Sequence, residues 1–287
     1  MARMALSQVS MPNLRLDRAV SVYLGHPLAR GRNGRGRTRL PILMYHSISE
    51  GLSHRNAYYE TNTSPRAFER QVRFLSENGY TGLTLAQAAE QLAAGCIAPR
   101  TVAMTFDDGF SDFSREALPV LQHYRFPATL FVVAALAGGQ FMGRACLGWE
   151  EVRALASLGI EIGSHSLTHP ELASLPAMAV QKELAESKRL IEDRLGAPVR
   201  SFAYPYAFPQ ANRTFVSLLE RTLAESGYTA GVTTVLGRAS ARSPRFFLPR
   251  LPVNTWDDPR LFRAKLEGGY DWLRLPQAAY KKLRIKG

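Results

Sequence analysis

From Leu40 onward, apolar runs of strand length alternate with segments whose apolar residues recur every three or four positions. The runs at 40–45, 101–106, 128–134, 160–164, 200–204, 228–234 and 246–251 predict strands, and the periodic segments at 65–78, 84–94, 114–124, 149–158, 177–195, 213–226 and 259–267 predict helices. Ser64-Pro65 reads as an N-cap followed by proline at the first helical position. Gly79, Gly159, Gly196 and Gly227 fall just past four helix ends, where a left-handed residue closes the last turn. No repeat of 20 to 50 residues is visible. Strands each followed by a helix argue for an α/β fold on a parallel sheet, and an open doubly wound sheet or a closed barrel both satisfy the pattern.

Two of these strands end in residues with chemical potential. Thr105-Phe106-Asp107-Asp108-Gly109 puts paired carboxylates after the 101–106 run, and His165-Ser166-Leu167-Thr168-His169 puts two imidazoles after the 160–164 run. Alone, Asp-Asp-Gly is a common turn and His-x-x-x-His an ordinary polar loop. Together they form a metal site: two histidines and one carboxylate leave a coordination position open for a water, with the second carboxylate spare as a base. That division of labour is a hydrolase. His46, Asp107, Asp108, His165, Tyr204 to Tyr206 and Arg250 follow five different strands at their C-terminal ends, the way a (β/α) barrel assembles a site.

On these motifs the chain resembles the polysaccharide deacetylases of carbohydrate esterase family 4, the NodB-homology domain. Pro41-Ile42-Leu43-Met44-Tyr45-His46, Phe202-Ala203-Tyr204-Pro205-Tyr206 and Leu248-Pro249-Arg250 are similar to its poly-N-acetylglucosamine deacetylase branch, and the resemblance covers about residues 40 to 255. It implies an irregular seven-stranded (β/α)7 barrel. It also implies Asp108, His165 and His169 as ligands of one divalent ion, zinc first and cobalt, nickel or iron after it. Asp107 then acts as base, and the Tyr206 backbone N–H as a donor to the developing oxyanion. Here Ala207-Phe208-Pro209 departs from the glycine expected after that tyrosine. His46 is the acid for the departing amine, since amide cleavage needs a proton donor and all six histidines precede residue 170. Arg250 is a partner that keeps Asp107 ionised. Trp149 and Trp256 are candidates to stack on a sugar.

The implied activity is removal of N-acetyl groups from a polysaccharide or its precursor. Rival readings are a deacetylase or deformylase of a lipid-linked sugar at the inner membrane, and a non-catalytic carbohydrate-binding barrel. A non-haem iron oxygenase would share the ligand types but needs a His-x-Asp spacing on an all-β scaffold.

Charge changes the picture only at the ends. Of the net +12, residues 1–40 carry +7 and residues 271–287 carry +4, which leaves a nearly neutral body. The expected organisation is a basic extension at 1–39, a catalytic domain at 40–270 and a basic tail at 271–287. Arg30, Arg32, Arg35, Arg37 and Arg39, spaced by Gly and Asn, read as a charged linker or a contact with an anionic membrane surface, and no nucleic-acid signature accompanies them. The mildly apolar Ala19 to Leu28 fits either a surface or the body. With no signal-peptide core, no spanning segment and two cysteines, Cys96 and Cys146, expected as free thiols, the sequence points to a cytoplasmic protein, peripheral to the membrane at most.

Overall fold

A computed structural model describes residues 15–32, 39–51 and 60–284. The strands of its main sheet are β1 (Ile42–Tyr45), β2 (Thr81–Leu83), β3 (Thr101–Phe106), β4 (Thr129–Val132), β5 (Glu161–Ser164), β6 (Ser201–Ala203), β7 (Ala230–Leu236) and β8 (Leu248–Pro252). All pair in parallel, and the order β1-β8-β7-β6-β5-β4-β3 closes back on β1 as a seven-stranded barrel. Every strand read from the sequence is in it. β2 is the addition: it pairs with the first half of β3, Thr81 opposite Thr101, while β4 takes the last two residues, Thr105 opposite Thr129.

Side-chain alternation sorts the strands into two cores. Leu43, Tyr45, Met104, Phe106, Leu130 and Leu251 belong to the larger one, which the helices cover, whereas Ile42, Ala103, Phe131, Ala203, Val232 and Leu248 belong to the smaller. The barrel is filled, not hollow. A Cβ on Gly163 would lie 2.5 Å from the Phe131 ring, so only glycine lets β5 pass under it. The same alternation puts Thr105 and Asp107 in phase with Ala103, and Arg250 in phase with Leu248, two residues nearer the C-terminal rim.

The predicted helices form at 65–77, 85–94, 118–124, 149–157, 177–195, 213–225 and 259–267. The Ser64 hydroxyl accepts from Ala67 N–H, and Gly79, Gly159, Gly196 and Gly227 all have positive φ. Two widened π turns, Ser21–Gly25 and Phe113–Ala117, stand just before Pro27 and Pro119. A proline ring crowds the carbonyl four residues back, and the wider turn relieves that crowding.

The described part of the N-terminal extension is a helical segment over residues 16–32 that docks on the body. Ser21 is fully buried and its Oγ accepts from Trp272 Nε1 at 3.0 Å, while His26 Nε2 meets Glu267 Oε2 at 2.6 Å. Arg18 pairs with Asp258. At Gly25 the backbones nearly touch, since a Cβ there would lie 2.3 Å from Gly269 O. Ala19 to Leu28 therefore packs on the body through one side. Most of the charged linker expected over Arg30 to Arg39 lies outside the described residues. No helix among the described residues is long and apolar enough to cross a membrane.

Gly25→Ala pits helix propensity, worth about 1 kcal/mol in favour of alanine, against a backbone contact that cannot rotate away, costing about 1–3 kcal/mol. The contact wins. Hydrogen exchange should show faster amide exchange across residues 16–32, with the barrel strands unchanged.

Candidate active site

β3 delivers both carboxylates and then stops. The Asp107 N–H is donated to Tyr45 O at 3.0 Å, and the chain turns out of the sheet through Asp108 and Gly109, with φ of +72° and +67°. Aspartate tolerates that region better than most side chains. Gly109 is required twice, by its φ and by Val132, whose Cα would lie 3.3 Å from an added Cβ. Through this turn two neighbouring carboxylates, which a continuous strand would send to opposite faces, serve one cleft.

Arg250 holds the first of them. It is fully buried on β8 and reaches past β1 to form a bidentate pair with Asp107, both N–O distances being 2.7 Å. Two of its other donors go to Thr105 Oγ1 at 3.0 Å and Thr233 O at 3.1 Å. Burial alone would raise the Asp107 carboxyl, but the Arg250 guanidinium, with His165 and His46 nearby, holds it well below the usual carboxylate range.

Asp108 faces the two histidines. Its Oδ1 is 3.4 Å from both His165 Nε2 and His169 Nε2, and the three ligand atoms lie within 4.8 Å of one another, all buried. The residues fit a divalent ion. His165 Nδ1 lies 2.8 Å from Ala203 O, so that nitrogen carries the proton and Nε2 keeps its lone pair for a metal. Burial pushes the His169 pKa down to about 4, which leaves it a neutral imidazole at pH 7.

The loop carrying the histidines is strained, with Ser166 at φ +65° and His169 at φ +61°. Ser166 Oγ accepts from His169 N–H at 2.9 Å. Glu183, from the helix at 177–195, does the rest: it accepts from Leu167 N–H and Thr168 N–H at 2.9 Å and from Thr168 Oγ1 at 2.7 Å. Glu183 escaped the sequence reading. Its signal is a carboxylate inside the buried stripe Val180, Leu184, Ser187, Ile191.

The remaining candidates line the rim. His46 directly follows β1, with Nε2 3.9 Å from Asp107 Oδ2 and its side chain partly open to solvent. Tyr206, 49% exposed at φ +58°, sets its ring 4.5 Å from that of His169. Thr234 Oγ1 donates to Tyr206 O and accepts from Phe208 N–H, and Phe208 is buried against Tyr204 and Phe247. The Ala207-Phe208-Pro209 departure thus anchors this loop in the core. Among the described residues none accepts the Tyr206 N–H. Trp256 is exposed on the loop after β8, whereas Trp149 is partly buried and packs against the core. A hairpin missed by the sequence reading, Gln140–Phe141 with Arg144–Ala145, puts Phe141 4.6 Å from the His169 ring. Arg144 ties it to Ser47 and to Ser49, one and three residues beyond His46. Both cysteines are free thiols, Cys96 exposed and Cys146 buried.

The comparisons agree with this geometry. Residues 94–229 match the sequence profile of the polysaccharide deacetylases. YxkH of Bacillus subtilis (strain 168), named as a polysaccharide deacetylase, is 34% identical over 80% of this chain and 76% of its own. A poly-β-1,6-N-acetyl-D-glucosamine N-deacetylase of Staphylococcus aureus (strain MSSA476) is 21% identical over 67% of this chain and 68% of its own. Among solved structures, the Streptococcus pyogenes deacetylase PplD in complex with acetate superposes with a TM-score of 0.70 at 26% identity, covering 80% of this chain and 99% of that one.

Arg250→Met should destabilise the protein by about 3–5 kcal/mol at pH 7, because it strands a buried carboxylate. The sign with pH follows from the depressed Asp107 pKa. The pair's contribution is complete above the unfolded value near 4 and is lost as the pH falls through the folded one. In the variant, protonation instead relieves the stranded charge. Urea unfolding should therefore show a gap between the two proteins that is widest near neutrality and narrows below about pH 4.

Proposed function

The chain belongs to the polysaccharide deacetylase family, and we propose that it hydrolyses the N-acetyl amide of amino sugars in an oligo- or polysaccharide with the help of one divalent ion. One observation carries the reading: adjacent carboxylates at one strand end, Asp107 locked to Arg250 and Asp108 set against His165 and His169. A non-catalytic barrel has no use for a buried carboxylate kept ionised beside a ligand set.

Asp108, His165 and His169 would hold the ion, and the N,N,O set suits zinc, with cobalt, nickel or ferrous iron as substitutes. When bound, such an ion supplies a Lewis acid for the amide carbonyl and a water acidified from 15.7 to about 7. Asp107 accepts the proton of the attacking water, and a strong base is not needed at that acidity. Arg250 fixes the carboxylate's orientation and keeps it unprotonated. The Tyr206 N–H, unpaired among the described residues, is the donor for charge developing on the carbonyl oxygen. His46, beside Asp107 and partly open to solvent, gives its proton to the amine nitrogen as the C–N bond breaks. The products are acetate and a free amino sugar.

The name of the Staphylococcus aureus relative supports a poly-N-acetylglucosamine as the glycan class. Acetate release and mass spectrometry on β-1,6- and β-1,4-linked N-acetylglucosamine oligomers test this directly. Asp107→Asn should abolish turnover and retain the metal, whereas Asp108→Asn should lose the metal by elemental analysis. A wild-type protein fully active in chelator ends the metal-assisted mechanism. Activity confined to a lipid-linked N-acyl sugar selects the second reading.

A further inference from the structure

The helical segment at 16–32 is apolar on the side turned away from the barrel. Leu16, Tyr23, Leu24 and Leu28 are 63, 60, 61 and 67% exposed, and Ala19 and Pro27 between them are exposed as well. These positions recur at helical spacing along one face. Isolated exposed leucines are ordinary, but four large apolar side chains in one stripe mark an interaction surface. The stripe cannot turn inward to hide. The opposite side is committed through buried Ser21, the His26–Glu267 and Arg18–Asp258 pairs, and the Gly25–Gly269 contact.

Charge identifies the occupant. Residues 15–39 contain seven arginines against one acid, Asp17, a net +6, whereas the barrel body is nearly neutral. The tail at 271–287, whose Trp272 is bonded to Ser21, adds a further +4. A second copy of the chain meeting stripe to stripe would bring two such basic segments together, and like charges oppose that contact. An anionic lipid surface satisfies both features: it takes up an apolar helix face lying in its plane and attracts the arginines that follow that face in the sequence. We propose that the outer face of residues 16–28 is a docking surface for an anionic lipid bilayer, which holds the barrel at the membrane without spanning it. The proposal is independent of the deacetylase reading, since it uses no residue of the active site.

Flotation of the full chain with phosphatidylcholine vesicles, with and without phosphatidylglycerol, tests it. Binding is expected to the anionic vesicles and to fall steeply as salt is raised. Leu24→Glu/Leu28→Glu should weaken it by about tenfold or more, since it exchanges buried apolar area for like-sign repulsion with the lipid. Leu16→Ser/Leu28→Ser should weaken it less, as a milder change at the same face. Circular dichroism and acetate release from a soluble oligosaccharide should be unchanged in both. Wild-type protein that ignores anionic vesicles, or variants that bind as wild type does, overturns the proposal. A wild-type dimer in sedimentation velocity that either variant dissociates, without vesicle binding, overturns it in favour of a contact between copies.

Discussion

The site depends on one buried ion pair. Arg250 and Asp107 are both almost wholly buried, and removing two such groups from solvent costs several kcal/mol each. Two parallel hydrogen bonds, with Thr105 and Thr233 taking two further donors, offset that cost. An apolar pair of similar volume would serve the barrel's stability as well. What it would not do is keep a buried carboxylate ionised, where burial by itself favours the neutral acid. The arginine therefore converts a closed, water-poor barrel end into a place where a base can exist.

Around this pair, each loop has a support from a different element. Glu183 holds the histidine loop from a helix, Thr234 of β7 holds the loop of Tyr206, and Arg144 ties the Phe141 hairpin to the segment after His46. The left-handed residues Asp108, Ser166, His169 and Tyr206 are conformations that cost energy unless the surroundings dictate them. All four lie at the cleft, and the supports are what dictate them. Strain and support thus occur together at the C-terminal rim, while the interior below, with Phe131 over Gly163, is conventional packing.

Much of this was legible because it is written in local pattern. Barrel strands such as 101–106 are short apolar runs, and a strand end followed by Asp-Asp-Gly or by His-x-x-x-His states its own chemistry. Arg250 is expected beside Asp107 because a neighbouring cation keeps a carboxylate ionised, and the barrel's alternation, which turns both inward, is what brings them together. The rest depends on contacts remote in sequence. β2 is Thr-Gly-Leu, three residues with no alternation, and its Gly82 is dictated by Pro127 and Phe126 lying where a Cβ would be. The segment at 16–32 conceals its docking because its inner face is small and polar, Ser21 and Gly25, and its outer face is apolar, the reverse of the usual helix. Phe141 reaches His169 through a hairpin whose tip, Met142-Gly143, carries no turn signal stronger than the glycine.

The turn at Asp107-Asp108 has one more implication. The proposed base and ligand are successive residues joined by a trans peptide, so their Cα atoms stand about 3.8 Å apart whatever happens elsewhere in the chain. The backbone spacing between the proposed proton acceptor and Asp108 is thereby a covalent length, beyond the reach of remote substitution. Only the walls remain adjustable: the Phe141 hairpin, the loop of Tyr206 and the exposed Trp256. Under the proposed reading, those three segments are where the cleft can be reshaped while that backbone spacing stays the same.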